Sequence, residues 1–275
     1  MDECDSPQKP EGCAVAPAVN AAMGEVMYQF FVEPHAIAGN RVSITGKDVN
    51  HIKNVLRMKV GEELAVSNGV DGKEYRCGIL SLGEDEILCE LRFVKEDAVE
   101  LPVKVYLFQG LPKSDKMELI IQKAVELGVY EIIPVATKRA VVKLDAKKEK
   151  SKIARWQSIA EAAAKQSKRA CIPQVTGVMS FKEAMQKAGD MDVKLIPYEM
   201  AEDMSHTREL IKTIKPGQSV AVFIGPEGGF AEEEIALAQS VGVSPVTLGK
   251  RILRTETAGM TMLSILMYEL EGREA

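Results

Sequence analysis

The sequence predicts an α/β protein with a small β-rich domain, residues 27–96, followed by a larger domain with a parallel sheet, residues 103–275. Short strand-like runs separated by glycine turns occupy the first part, a pattern typical of a meander or small barrel. In the second part strands alternate with helices, which predicts a parallel sheet covered by helices on both faces. A polar linker, residues 97–102, ends in proline and separates the two patterns.

Composition argues against a membrane protein and against a disulfide-stabilised secreted protein. Of the 275 residues, 46% are hydrophobic and 27% are charged, as in ordinary soluble domains. No run approaches the roughly 20 apolar residues that span a bilayer. Residues 1–26 lack periodicity and an apolar signal-peptide core, so we expect a disordered leader. Five cysteines without C-x-x-C spacing indicate free thiols and a cytoplasmic location.

The β-rich domain is predicted to hold one short helix and three strands. Thr45 and Asp48 have the spacing of a capping box, with Asp in place of the usual Glu or Gln, and predict a helix over Val49–Met58. The strand-like runs are Glu63–Ser67, Glu74–Leu82 and Glu86–Val94.

In the larger domain, apolar residues at i, i+3 and i+4 spacing predict a helix over Ser114–Leu127, with Gly128 as its C′ residue. Ser180 and Glu183 form a capping box for a helix that ends at Ala188. The other predicted helices are Lys152–Arg169, Asp203–Ile214, one that opens at Ala231 and Thr255–Leu270. The predicted strands are Val103–Leu111, Glu131–Val135, Val193–Tyr198 and Ser219–Ile224.

The last of these strands runs into a glycine turn, Gly225–Phe230, with the sequence Gly-Pro-Glu-Gly-Gly-Phe. Its glycines allow the backbone to approach a ligand closely. The turn lacks the Gly-Lys-Ser/Thr of a P-loop and the G-x-G-x-x-G of a dinucleotide site, and Glu227 would repel phosphate. An uncharged or cationic ligand such as S-adenosylmethionine suits this turn, and an ordinary βα turn is the alternative.

A second unusual stretch, Arg251–Ala258, alternates charged residues with apolar and hydroxyl residues directly before the final helix. Arg254 and Glu256 either pair with each other or contribute to a site. The final helix is rich in Met, Leu and Ile, so it packs into its own core or forms a dimer interface.

Basic residues cluster between Lys138 and Arg169, where eleven Lys and Arg face three Asp and Glu, a local balance of +8 in a chain of net charge −5. Such a stripe indicates a localised contact with a polyanion. A solvated loop and helix face is the alternative. His51 and Arg57, on the predicted first helix, are likewise either RNA-contacting residues or part of a solvated helix edge.

Several ordered motifs resemble the SPOUT superfamily of trefoil-knotted methyltransferases. Within it, the chain resembles the bacterial family that methylates N3 of a uridine in small-subunit ribosomal RNA, the 16S rRNA (uracil(1498)-N(3))-methyltransferases. The resemblance extends from about residue 27 to the end of the chain. The matching segments are residues 30–32, 51–57, 113–128, 161–169, 225–230 and 248–258.

This resemblance implies a PUA/OB-like RNA-binding barrel, a knotted α/β domain, bound S-adenosylmethionine and a homodimer that completes the active site. It implies 16S rRNA or the small ribosomal subunit as partner. The cofactor-binding residues that it implies are Leu195, Ile224, Gly225, Glu227, Gly228, Gly229, Leu248, Gly249, Ile252 and Leu253.

For catalysis, Arg254 is the first candidate, because a guanidinium can stabilise negative charge on uridine O2 or O4 as N3 ionises. Glu227 and Glu256 are candidates for base or orienting roles. The candidate RNA-contacting residues are His51, Arg57, Lys113, Arg139, Gln166 and Arg169. No metal site is expected, because the three histidines do not cluster. A ribose 2′-O-methyltransferase and a catalytically silent RNA-binding factor are the alternatives.

Overall fold

The computed structural model describes residues 27–96, 99–201 and 203–273. The predicted leader, residues 1–26, lies outside the described residues, and so do Cys4 and Cys13. Cys77, Cys89 and Cys171 are free thiols. In the described ranges no helix is long and apolar enough to cross a bilayer.

The first part of the chain forms a six-stranded, mostly antiparallel sheet with the strand order β1-β4-β5-β6-β3-β2. Register shifts where β5 pairs with β6 curl the sheet around its own core. The three predicted strands are confirmed, and the other three were not predicted. The strands are β1 (Gln29–Phe31), β2 (Ile37–Ala38), β3 (Arg41–Thr45), β4 (Glu63–Ser67), β5 (Glu74–Leu82) and β6 (Glu86–Lys95).

The helix of this part begins earlier and ends earlier than predicted. Helix α1 covers Lys47–Asn50 and continues as a π-helical turn, His51–Val55. The predicted Thr45 capping box is wrong, because the N-cap is Gly46, with φ +73° and no side-chain cap. A glycine at this φ turns the chain sharply between β3 and the helix.

The second part is a seven-stranded sheet in which all strand pairs are parallel. Its strand order is β10-β8-β7-β12-β11-β13, with β9 beside β8. The strands are β7 (Lys104–Gly110), β8 (Glu131–Ala136), β9 (Gln174–Val175), β10 (Met179–Ser180), β11 (Val193–Pro197), β12 (Ser219–Ile224) and β13 (Ser244–Val246). The helices are α2 (Lys116–Glu126), α3 (Ala146–Gln166), α4 (Phe181–Ala188), α5 (Met204–Lys212), α6 (Glu232–Ser240) and α7 (Thr255–Leu270).

Helices cover both faces of this sheet, as predicted. Along β12, Val222 belongs to the core beneath α2, α3 and α7, whereas Phe223 belongs to the core beneath α4 and α6. Adjacent side chains of a strand point to opposite faces, so one buried strand contributes to both cores. Helix α3 begins six residues earlier than predicted, because the Asp145 side chain accepts a hydrogen bond from the Lys148 N–H and caps it.

Arg169 was predicted to contact RNA, and this prediction is wrong. The residue is only 3% exposed. Its guanidinium pairs with Glu100 and donates hydrogen bonds to the carbonyl oxygens of Val125 (3.1 Å) and Val129 (2.6 Å). Arg169 therefore fastens the chain segment between the two sheets to helix α2 and the loop after it.

Candidate active site

A cavity of about 890 Å³ lies at the carboxyl ends of strands β11, β12 and β13. Its walls come from residues 197–201, 224–230 and 247–255, at the ends of these strands and in the loops that follow them, with Lys116, Met204 and Ala258 beside them. Open parallel sheets bind ligands at this edge, and the volume falls within the range of about 300–1,000 Å³ for small-molecule sites. The geometry is that of a small-molecule site on a rigid sheet.

Two glycines give the cavity loops backbone conformations that other residues rarely adopt. Gly229 has φ +66° and Gly249 has φ +110°. Among the described residues, the backbone N–H groups of Leu248, Ile252 and Leu253 have no hydrogen-bond acceptor. The loop after β13 therefore presents unpaired donors at a cavity wall, and a ligand with acceptor atoms can satisfy them.

Nine of the ten predicted cofactor-binding residues line the cavity. Leu195 does not, and its placement in the site is wrong. It lies in the middle of β11, fully buried in the core between the sheet and its helices. The cavity opens only where β11 ends, at Pro197 and Tyr198.

Three charged side chains from distant parts of the chain meet beside the cavity, and two of them, Lys116 and Glu227, line it. The Nζ atom of Lys116, the first residue of α2, lies 3.1 Å from Glu227 Oε1 and 3.3 Å from Glu256 Oε2. Glu227 also accepts a hydrogen bond from the Lys113 N–H at 3.1 Å. This Lys116 cluster, which comprises Lys116, Glu227 and Glu256, joins helix α2, the glycine turn and helix α7.

The charges of the Lys116 cluster are mutually stabilised. Burial raises the pKa of Glu227, but hydrogen bonds from its own N–H, Lys116 and the Lys113 N–H outweigh burial and leave this pKa below its usual value. The hydrogen bond to Glu227 raises the pKa of Lys116. At neutral pH, Glu227 is therefore an ionised carboxylate and a weak proton acceptor.

Arg254 immediately precedes α7 and lines the mouth of the cavity. Its guanidinium is exposed and has no hydrogen-bond or ion-pair partner among the described residues. The ion pair with Glu256 that the sequence allowed does not form, because Glu256 faces Lys116 instead. Arg254 is thus free to contact a bound substrate.

The other candidate RNA-contacting residues occupy three regions. Arg139 and Lys113 flank the glycine turn: Arg139 Nη1 donates to the Gly228 carbonyl oxygen at 3.2 Å, and Lys113 has an exposed side chain. Gln166 is exposed at the end of α3, outside the cavity wall. His51 and Arg57 are exposed in the first part of the chain, His51 in the π-helical turn after α1 and Arg57 in the loop that follows it. The His51 ring meets Phe30 edge to face at 6.2 Å between ring centroids.

The basic segment is more nearly neutral than its sequence indicates. Acidic residues from other segments pair with several of its cations. Among the described residues, only four of the segment's lysines lack a hydrogen-bond or ion-pair partner for their side chains: Lys143, Lys147, Lys150 and Lys168. The pairs with other segments are Lys138–Glu233, Lys152–Asp115, Arg155–Glu118, Lys165–Asp48 and Arg169–Glu100.

Two protein-family models match the chain, one over each sheet. A model of the RNA methyltransferase domain family matches residues 99–267, and a model of the RNA methyltransferase PUA domain matches residues 44–92. These matches cover the parallel sheet with its cavity and most of the curled sheet before it. The fold and the site are those of an RNA methyltransferase.

The relatives define the family. The chain is 42% identical over 233 residues to ribosomal RNA small subunit methyltransferase E of Bacillus subtilis, covering 83% of this chain and 90% of that protein. It is 35% identical to the protein of the same name from Mesomycoplasma hyopneumoniae, covering 86% and 98%. The chain belongs to the ribosomal RNA small subunit methyltransferase E family.

Solved structures agree with this family. The Neisseria gonorrhoeae ribosomal RNA small subunit methyltransferase E, bound to S-adenosylmethionine, is 31% identical with a TM-score of 0.75, covering 88% of this chain and 97% of that one. A Legionella pneumophila structure with bound S-adenosylmethionine is 33% identical with a TM-score of 0.73 and the same coverage. The predicted SPOUT methyltransferase fold with a preceding PUA-type domain is confirmed.

Proposed function

We propose that the protein transfers the methyl group of S-adenosylmethionine to N3 of a uridine in 16S rRNA of the small ribosomal subunit, in the cytoplasm. The observation that carries this proposal is the cavity between the glycine turn and the loop after β13, with the unpaired Arg254 at its mouth. The S-adenosylmethionine bound to the Neisseria gonorrhoeae relative supports it. Residues 27–96 would serve as the RNA-binding domain and residues 103–275 as the catalytic domain.

The residues present fit S-adenosylmethionine. The unpaired N–H groups of Leu248, Ile252 and Leu253 suit the acceptor nitrogens of adenine. Glu227 and Glu256 share the single ammonium of Lys116, so this cluster has a formal net negative charge and favours a cationic ligand over a phosphate. Bound in this cavity, the cofactor supplies a methyl group that its sulfonium makes electrophilic.

The chain must then meet three chemical requirements at uridine N3. The nucleophile must lie in line with the methyl carbon, and such alignment lowers a barrier by up to about 7–11 kcal/mol. The N3 proton must pass to solvent water, and the negative charge that then spreads to O2 and O4 needs a stabilising group. Because N3 lies on the pairing edge, the base must be unpaired or flipped out.

Arg254 is suited to stabilise the negative charge on O2 and O4. Its guanidinium is exposed at the cavity mouth and makes no ion pair that would hold it elsewhere among the described residues. Glu227 takes an orienting role rather than that of a base, because its pKa lies below the usual value and its carboxylate already binds Lys116 and the Lys113 N–H. Glu256 shares this orienting role, because its carboxylate also pairs with the Lys116 ammonium.

Sequence reasoning overlooked Lys116, and its replacement tests this orienting role. Lys116→Met is expected to lower kcat about 10²-fold, because a small misplacement of the reacting groups costs that much. Steady-state methyl transfer measures the effect. Lys123→Met is the matched control, since Lys123 also belongs to α2 but pairs with Glu126 outside the cavity. Equal kcat values for the two variants would refute the role.

The RNA would lie across the glycine turn and the first sheet. Lys113 and Arg139 flank the turn and are suited to phosphates beside the target base. His51, Arg57 and Gln166 would contact RNA farther from the cavity, since all three side chains are exposed.

We also propose that the protein forms a homodimer in which helix α7 of one copy packs against α7 of the other. The outer face of this helix carries a shallow apolar depression, and Tyr268 beside it is 82% exposed. Ile252, on the cavity loop that leads to α7, is 87% exposed. A second copy of the helix would cover such side chains, which a monomer leaves in water. The depression is lined by Met260, Thr261, Ser264, Ile265, Tyr268 and Glu269.

Tyr268→Arg is expected to shift the protein from dimer to monomer, because each copy would bring a charge into the same isologous, partly apolar interface. Sedimentation velocity at micromolar concentration measures the change. Val60→Arg serves as the control, since Val60 is an exposed apolar residue of the first part of the chain. A wild-type protein that sediments as a monomer would exclude the dimer.

Methyl transfer from labelled S-adenosylmethionine to isolated small subunits that lack the modification tests the proposed activity. Label is expected in 16S rRNA. The matched reaction with naked 16S rRNA shows whether the assembled particle is needed. Cofactor binding without transfer to either substrate would identify the protein as a silent RNA-binding factor and overturn the proposal.

A further inference from the structure

A buried chain of hydrogen bonds crosses the floor of the active site. Gln109, at the end of β7, has 0% exposure. Its Nε2 donates to the Gly110 carbonyl oxygen at 3.0 Å and to Thr255 Oγ1 at 2.9 Å. The Thr255 hydroxyl in turn donates to the Gly225 carbonyl oxygen at 2.6 Å.

The carbonyl oxygen of Gly225, at the end of this series of hydrogen bonds, determines which atom donates in each bond. The Gly225 carbonyl can only accept, so the Thr255 hydroxyl donates its proton to it and accepts from the Gln109 amide. The opposite amide orientation would place Gln109 Oε1 against the Gly110 carbonyl oxygen, two acceptors in contact. In the observed orientation Oε1 is buried without a partner among the described residues. Both amide protons of Gln109 therefore form hydrogen bonds, whereas its amide oxygen forms none among the described residues.

These hydrogen bonds join segments that are far apart in the sequence. Thr255 is 146 residues from Gln109 and 30 residues from Gly225. Gly225 begins the glycine turn on one wall of the cavity, and Thr255 directly follows Arg254 on another. The two hydrogen bonds of Thr255 therefore set the distance between the cofactor turn and the residue that we place at the uridine.

We infer that Gln109 and Thr255 are positioning residues for methyl transfer: their hydrogen bonds hold the glycine turn and Arg254 in register across the cavity. This inference rests on the proposed function. A partly unsatisfied buried amide costs stability, and apolar side chains of similar size would fill the same space without that cost. The two donated hydrogen bonds give a reason for an amide at this position.

Thr255→Val and Gln109→Met test the inference, because each keeps the approximate volume and removes the hydrogen bond between the two side chains. We expect each to weaken S-adenosylmethionine binding about tenfold by calorimetry and to lower kcat at least as much, with an unchanged KM for RNA. Thr255→Ser retains the hydroxyl and is expected to stay within about twofold of the wild type on both measures.

The control separates positioning from loss of stability. Ile121→Val removes one methylene from a fully buried residue of α2 that does not line the cavity. It is expected to lower Tm while leaving cofactor affinity unchanged. If Thr255→Val binds cofactor as tightly as Ile121→Val does, or if Thr255→Ser fails to restore affinity, the inference is wrong. A wild type that binds cofactor but methylates no RNA would refute the proposed function and leave this binding test intact.

Discussion

Arg254→Ala is expected to lower kcat for methyl transfer about 10²- to 10³-fold, the usual effect of removing one preorganised group that stabilises developing negative charge. The guanidinium has no ion-pair partner among the described residues, so its removal leaves no buried carboxylate unpaired. The fold and the affinity for S-adenosylmethionine are therefore expected to remain unchanged. Single-turnover methyl transfer and calorimetry measure the two quantities.

Two further variants sharpen this test. Arg254→Lys keeps the charge but loses the planar fork of donors, so we expect an intermediate rate. Arg208→Ala removes an exposed arginine of α5 and is expected to transfer methyl groups at the wild-type rate. Full turnover by a correctly folded Arg254→Ala protein would show that another group stabilises the uridine anion.

Arg169→Met is expected to destabilise the protein by about 3–5 kcal/mol, the typical cost of removing one partner from a buried ion pair. The variant leaves Glu100 without its guanidinium and the carbonyl oxygens of Val125 and Val129 without donors. Urea denaturation measures the effect as a lower midpoint.

The control for this prediction is Lys165→Met, which removes the partly exposed pair with Asp48 and is expected to cost at most about 1 kcal/mol. An Arg169→Met protein as stable as the wild type would contradict the structural role. If that protein also bound RNA more weakly, the original prediction of an RNA contact at Arg169 would be restored.

Elements with continuous apolar sequence were predictable. The bounds of β12 and α7 match the predictions, because an uninterrupted apolar run ended by glycine and a long apolar helix leave few alternatives. Strands β9 and β10 were missed because two residues carry no periodicity. Strand β13 was missed because it has three residues and includes Pro245.

The site was predictable where its residues follow one another along the chain. The glycine turn and residues 248–254 form motifs, and they line the cavity. Lys116 was not predictable in its role, because the ion pairs with Glu227 and Glu256 exist only after distant segments come together. Arg169 was misassigned for the same reason: its partner Glu100 lies 69 residues away, and sequence does not show burial.

The most direct test of the central claim is nucleoside analysis of 16S rRNA from small subunits treated with the protein and S-adenosylmethionine. Digestion followed by liquid chromatography and mass spectrometry separates methylated bases from methylated riboses. We expect N3-methyluridine as the new nucleoside, at a level that falls with Arg254→Ala. A 2′-O-methylated nucleoside in its place would contradict the assignment of Arg254 to a uridine anion and identify the protein as a ribose methyltransferase.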